Sequence, residues 1–244
     1  MQVSSAVVSL FFLSTRLLAQ DALHLQTAQT QRLSEEASQT FSGTVVVQNL
    51  AYEKDVTIHY RSTQDGLQYG TWLAAKAHYD HARDAGHEVW TFVSDALPSQ
   101  VRGNDFEFYL TLTTLGQTFQ DHNPEHPYRV GSGYLDSEGH PRFLLAAAPM
   151  AVESASYAPR GGGQWLITAW TQPEYDAVEA IYSMDGWKTV LHAEASQAYS
   201  IAGKPVWFLR IPGDGQAICF ALKAEGENVE AWDNNDGRNH CTSF

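Results

Sequence analysis

Apolar and polar positions alternate in short runs through most of the chain, and turn-forming residues separate the runs. Gly43–Gln48 is rich in β-branched residues, and Val56–Tyr60 alternates apolar with polar side chains. A period of two puts one set of side chains on each face, as in a half-buried strand. The same reading predicts strands at Glu88–Val93, Phe106–Thr113 and Tyr128–Val130. A second series falls at Gln164–Trp170, Ala177–Ser183, Pro205–Ile211, Ala217–Leu222 and Val229–Trp232, with a last strand ending at Phe244. Asn49–Asp55, Asp185-Gly186 and Asp214-Gly215 have turn composition. Short strands divided by turns predict an all-β chain of β-sandwiches.

The intervals between these runs set the predicted boundaries. Residues 21–40 are polar with weak periodicity and are expected to form an irregular N-terminal arm. Trp72–His87 reads as a long connection between strands, although Leu73–His78 has helical propensity. Composition shifts at residues 131–163, which open on Gly131 and Gly133 and close on Gly161, Gly162 and Gly163. This segment is expected to be a linker or a packed extension, its apolar stretch Pro141–Pro149 packing as an extra strand. Two domains result, 41–130 and 164–244. The 244 residues suit two domains of about 100 residues each.

Residues 1–20 carry an apolar run, Ala6–Leu13, then Leu17, Leu18, Ala19 and Gln20. The run is shorter than the roughly 20 residues a membrane span needs and is expected to be a signal peptide. That predicts a secreted, extracellular protein. Cys219 and Cys241 are the two cysteines, and a secreted chain with an even count is expected to join them in a disulfide. The formal net charge is −13. Such a surface repels phosphate backbones and anionic lipid, so nucleic acid and membranes are not expected as partners, whereas neutral polymers are compatible.

Ala231–His240 is the most informative stretch. Trp232 stands beside Asp233, Asn234, Asn235 and Asn239, and Gly237 lets the backbone turn. A sugar ring has a C–H face that packs on an aromatic and a rim of hydroxyls that pairs with amides and carboxylates. Phe119–Tyr128 repeats the pattern 112 residues upstream, with Asp121 and Asn123. The pair predicts a duplicated carbohydrate-binding unit. Trp187, beside Lys188, is the candidate second platform of the later copy. The competing reading makes one tryptophan a core residue and has Asp233 or Asn234 cap the local turn. Trp90, Trp165 and Trp207 lie in strand patterns and are expected in the core, and Lys54 as a solvated charge.

Phe41–Tyr60, Trp90–Phe92, Asp105–Tyr109 and Gly116–Phe119, running into the Asp121, Asn123 and Tyr128 motif, resemble carbohydrate-binding module family 21. The resemblance covers residues 41–130. The second half is similar to the same group and to families 25 and 53 through Tyr182–Lys188, Trp207–Pro212 and the Trp232 motif. It implies immunoglobulin-like β-sandwiches that bind α-1,4-glucan at two surface sites. At one site the family's tyrosines fall on Tyr52 and near Tyr79, with His87 in place of a third ring. At the other they fall on Tyr109, while Gln120 replaces an aromatic. A tryptophan expected near Asp65 is not aligned, and Tyr69 or Trp72 stands nearby.

His78, His81 and His87 do not have metal-ligand spacing, and neither metal nor cofactor is expected. No Gly-x-Ser-x-Gly, P-loop or His-Glu-x-x-His motif occurs, so no enzyme is predicted. The expectation is a monomeric, non-catalytic binder of starch or glycogen. The alternatives are a glycogen-targeting subunit of a phosphatase, whose basic-Val-x-Phe docking segment is not found, and a glycan-active enzyme.

Overall fold

The computed structural model describes residues 22–33, 38–64, 67–68, 71–98, 105–122, 125–131, 141–160, 162–213 and 217–243. Residues 1–20, expected as a signal peptide, and Asp65, Tyr69 and Asn123 lie outside them. The chain divides into two units, Met1–Ala147 and Ala148–Phe244. Every regular element among the described residues is a strand, and all paired strands are antiparallel, giving two tandem immunoglobulin-like β-sandwiches.

In the first unit the strands are β1 (Leu23–Leu33), β2 (Ser38–Gln48), β3 (Asp55–Gln64), β4 (Leu67–Gln68), β5 (Leu73–Lys76), β6 (His78–Ala82), β7 (His87–Val93), β8 (Leu97–Pro98), β9 (Asp105–Thr114), β10 (Gln117–Asp121), β11 (Tyr128–Val130) and β12 (Phe143–Leu145). One sheet runs β12-β1-β2-β7-β6, with β8 on β2. The other runs β10-β9-β3-β4, with β11 on β9 and β5 on β3. Their inner faces bury Val45, Val47, Ile58, Tyr60, Phe106, Phe108 and Leu110. Phe41 is the hub, its ring within 5.5 Å of those of Tyr60, Phe92, Phe106 and Phe108. Gly43 admits this packing, because a Cβ there would collide with the Thr27 carbonyl oxygen and the Phe92 ring.

The second unit contains β13 (Met150–Ala158), β14 (Gln164–Thr171), β15 (Ala177–Ser183), β16 (Leu191–Glu194), β17 (Ser196–Ile201), β18 (Lys204–Pro212), β19 (Ala217–Gly226), β20 (Val229–Asp233) and β21 (His240–Ser243). Its sheets are β13-β14-β18-β17 and β16-β15-β19-β20, with β21 also on β19. Trp165, Trp207, Leu209, Ile218, Phe220 and Leu222 fill the space between them.

Two segments differ from the sequence expectation, while in a third the extra strand expected within Pro141–Pro149 forms as β12. Residues 23–33 form β1 rather than an irregular arm. Leu23, Leu25 and Ala28 are buried there, and a bulge between Leu25 and Thr27 shifts the apolar phase, which hides the period of two. Trp72–His87 contains β5 and β6, short strands with mostly exposed side chains and so little hydrophobic signal. The 131–163 segment supplies β12 to the first unit and β13 to the second.

Candidate carbohydrate-binding surfaces

The repeat seen in the sequence is a repeat of architecture. Asp121 pairs with Leu110 and Tyr128 with Phe108; 112 residues later Asp233 pairs with Leu222 and His240 with Phe220. In both units the chain leaves the central strand's edge at the aspartate and rejoins it at the aromatic residue. That residue stacks on its phenylalanine neighbour, at 5.4 Å for Tyr128 and 5.2 Å for His240.

The two aspartates have a role in the fold. Asp121 Oδ2 accepts from the Leu25 amide at 2.8 Å and from the Tyr128 hydroxyl at 2.9 Å. Asp233 Oδ2 accepts from the Val152 amide at 3.1 Å, and Oδ1 lies 2.8 Å from His240 Nε2 and accepts from the Asn235 amide at 3.3 Å. Leu25 and Val152 both adjoin a β-bulge, where a backbone N–H needs a partner outside the ladder. Each carboxylate therefore ties one sheet of its sandwich to the other. Burial, with the Asp121 charge adding to it, pushes the Tyr128 phenol far above its ordinary pKa and keeps it a donor.

The turn after Asp233 explains its own composition. Asn235, Asp236, Gly237 and Asn239 all have positive φ, a region that Asn, Asp and Gly tolerate best. Asn234 Oδ1 accepts from the Gly237 amide at 3.0 Å, and the Asn235 carboxamide donates to the Asn239 carbonyl at 3.2 Å. The capping reading thus holds for both Asp233 and Asn234. The Cys219–Cys241 disulfide joins β19 to β21 and closes a 22-residue span around this turn.

Trp232 projects from the outer face of its sheet and is 49% exposed. Its Nε1 donates to Glu230 at 2.8 Å, and the Lys223 ammonium lies 5.9 Å from the ring. Lys223 is in turn paired with Glu225 and Glu230. Beside it opens a cleft of about 280 Å³ lined by Asp176, Glu179, Glu194, Trp207 and Glu225. Trp187 and the exposed Lys188 sit in the loop between β15 and β16. The half-buried Trp187 has φ of 68°, a rare conformation for a bulky residue. The Ser183 hydroxyl, 2.9 Å from its amide, and Asp185, which accepts from the Thr189 amide, hold it there. Ser183 lies two strands over and four residues along from Trp232, a Cα separation of roughly 16 Å by strand geometry. The anchor of the Trp187 loop is thus well separated from Trp232 on the sheet.

In the first unit Tyr52 stands on the loop between β2 and β3 and is 99% exposed. Below it, Lys54 corrects the expectation of a solvated charge, since its side chain is only 2% exposed. The ammonium donates to Asn49 Oδ1 at 2.9 Å and Glu88 Oε1 at 3.0 Å, while the other Glu88 oxygen accepts from Trp90 Nε1. Trp90 meets the exposed Tyr79 edge-on at 6.2 Å. Half-buried His87, in the place of the third ring, pairs with Asp84. Tyr109 occupies the outer face of the other sheet, stacked on His59 and edge-on to Trp72. Sequence reasoning passed over His59 and the Asn49–Lys54–Glu88 network. His59 and Glu88 are polar residues in strand phase and Asn49 and Lys54 polar residues of a turn, which is ordinary for a solvated surface.

The class of protein is thus an all-β chain of two antiparallel sandwiches with aromatic rings raised on their outer surfaces. The chain is 30% identical over 93 residues to Glucoamylase 1 of Rhizopus oryzae, a match covering 38% of this chain and 14% of that relative. This agrees with the resemblance of residues 41–130 to carbohydrate-binding module family 21. Among solved structures it is similar to the starch-binding domain of Rhizopus oryzae glucoamylase in complex with β-cyclodextrin and maltoheptaose, with 27% identity and a TM-score of 0.30, covering 44% of this chain and 94% of that one. It is also similar to the carbohydrate-binding module of the muscle glycogen-targeting subunit of protein phosphatase 1, with 24% identity and a TM-score of 0.34, covering 48% and 79%. No family model matches the chain.

Proposed function

We propose that this chain is a non-catalytic binder of neutral α-1,4-glucan, starch or glycogen. The observation that carries the reading is the pair of exposed rings, Tyr52 on one unit and Trp232 on the other, in a chain similar to a glucoamylase. Covering such a ring with the C–H face of a glucose residue contributes on the order of 1–2 kcal/mol. Tyr79, Tyr109 and Trp187 supply further rings. The carboxamides of Asn234, Asn235 and Asn239 beside Trp232, and the Lys188 ammonium beside Trp187, are the candidate hydrogen-bond partners of sugar hydroxyls on the second unit.

The net charge of −13 favours a neutral polymer over a polyanion. The disulfide, and residues 1–20 read as a signal peptide, support an extracellular location. Two sites on one chain raise affinity for a long polymer through effective concentration. Retention on insoluble starch, and calorimetric binding of β-cyclodextrin and maltoheptaose, are expected for the mature protein. Failure to bind any of the three ends this reading.

A further inference from the structure

Tyr109 and His59 are directly opposed on β9 and β3. Their rings are within 10° of parallel with centroids 4.6 Å apart. Trp72 meets the Tyr109 ring edge-on at 5.1 Å, and the Arg61 guanidinium lies 4.5 Å from the Trp72 ring. Glu107 anchors Arg61 at 2.7 Å. His59 Nε2 is 3.1 Å from the Thr111 hydroxyl. The orientation of the Tyr109 ring is thus set by a stacked imidazole on one strand and an indole edge.

We propose that His59 is the positioning residue of the Tyr109 sugar platform and makes binding at that platform depend on pH. The proposal rests on the reading of Tyr109 as a glucan contact. A neutral imidazole supports the phenol ring and leaves its face electron-rich, which suits the weakly positive C–H groups of a sugar. An imidazolium in the same stack draws on that π density by a cation–π interaction. Protonation also fixes the direction of a hydrogen bond. In the neutral ring Nε2 accepts from or donates to the Thr111 hydroxyl according to tautomer; charged, it can only donate, and the Thr111 hydroxyl donates to the Thr57 carbonyl 3.5 Å away.

The charged groups around His59 are Lys76 on β5, Asp55 and Arg61 on β3, and Glu107 on β9, where Tyr109 and Thr111 also face it. Burial first, and then the Lys76 charge, hold its pKa below the ordinary histidine value against the opposing pull of Asp55. His59 is therefore neutral above about pH 6.5, and it charges only in more acid solution.

The test is a maltoheptaose titration of the full chain, followed at the Tyr109 ring by NMR between about pH 4.5 and 7.5. Affinity read at that ring is expected to fall about two- to fivefold as His59 protonates. His59→Phe, which keeps the stack and cannot titrate, should bind as the neutral protein does with a flat profile. His59→Ala should bind weakly at every pH. A pH profile that survives in His59→Phe, or an unchanged Tyr109 ring in His59→Ala, overturns the proposal. If the Tyr109 ring never responds to maltoheptaose, the glucan reading of Tyr109 fails instead. The ligand-free ring then decides the coupling: it must shift as His59 titrates, and silence there ends the proposal.

Discussion

Arg129 stands opposite Glu107 across β11 and β9, an ion pair of 2.6 Å, at the register position where the second unit joins Cys241 to Cys219. One cross-strand lock is electrostatic and the other covalent. Arg61 grips the same Glu107 carboxylate, whose side chain is only 3% exposed. Glu107→Ala takes the carboxylate from the largely buried Arg61 guanidinium and is expected to cost about 3 kcal/mol. Replacing both cysteines by serine releases the 22-residue span and is expected to cost about 3 kcal/mol. Calorimetric scans should show the first change in the melting of residues 22–147 and the second in that of residues 148–243. Loss of the opposite unit in either case contradicts the assignment.

Asp121 and Asp233 should behave as fold residues. Asp121→Ala leaves the Leu25 amide and the Tyr128 hydroxyl without their acceptor, and Asp233→Ala does the same to the Val152 amide. Each change is expected to lower stability by about 1–3 kcal/mol in urea unfolding. Glucan affinity of the molecules that remain folded should stay the same. Lost affinity with unchanged stability would assign the carboxylates to the ligand.

Trp232→Ala and Tyr52→Ala should show the reverse pattern. Both rings are exposed, so melting temperatures are expected to stay within a degree or two. Affinity for β-cyclodextrin should drop roughly tenfold at the site affected, the equivalent of about 1–2 kcal/mol. The double variant should also lose retention on insoluble starch, because the polymer no longer engages both units.

Asp185 sets an acid limit for the Trp187 loop. The Thr189 amide, then the Thr189 and Ser183 hydroxyls, lower its pKa from 3.8 to about 2. A carboxylate depressed in the folded state stabilises above its unfolded pKa, and that stability fades as pH falls from 3.8 to about 2. The Trp187 indole N–H resonance of the folded protein is expected to hold its position until the pH approaches about 2 and to move there. In Asp185→Asn that acid transition should vanish.

Much of the fold was legible along the chain. Val56–Tyr60 and Phe106–Thr113 alternate apolar with polar residues, Ala217–Leu222 is a short apolar run, and each forms a strand. β1 was illegible because its bulge breaks that phase, and β5 because exposed strands carry no apolar period. The candidate site was legible as residue types. Trp232, Trp187 and Tyr52 are large rings in turn-rich contexts, and two cysteines in an otherwise cysteine-free chain announce a bond.

What those residues do was decided in three dimensions. Asp, Asn and Gly near Trp232 read equally as sugar contacts or as residues that tolerate positive φ, and only the backbone path shows the second demand. Lys54 is indistinguishable from a solvated lysine until Glu88, 34 residues away, closes over it. His59 lies 50 residues from Tyr109 and becomes its partner through strand register alone. Local periodicity determines which residues share a face, because it follows from the geometry of one strand. Which faces and edges meet depends on pairing between distant strands, and that belongs to the tertiary structure.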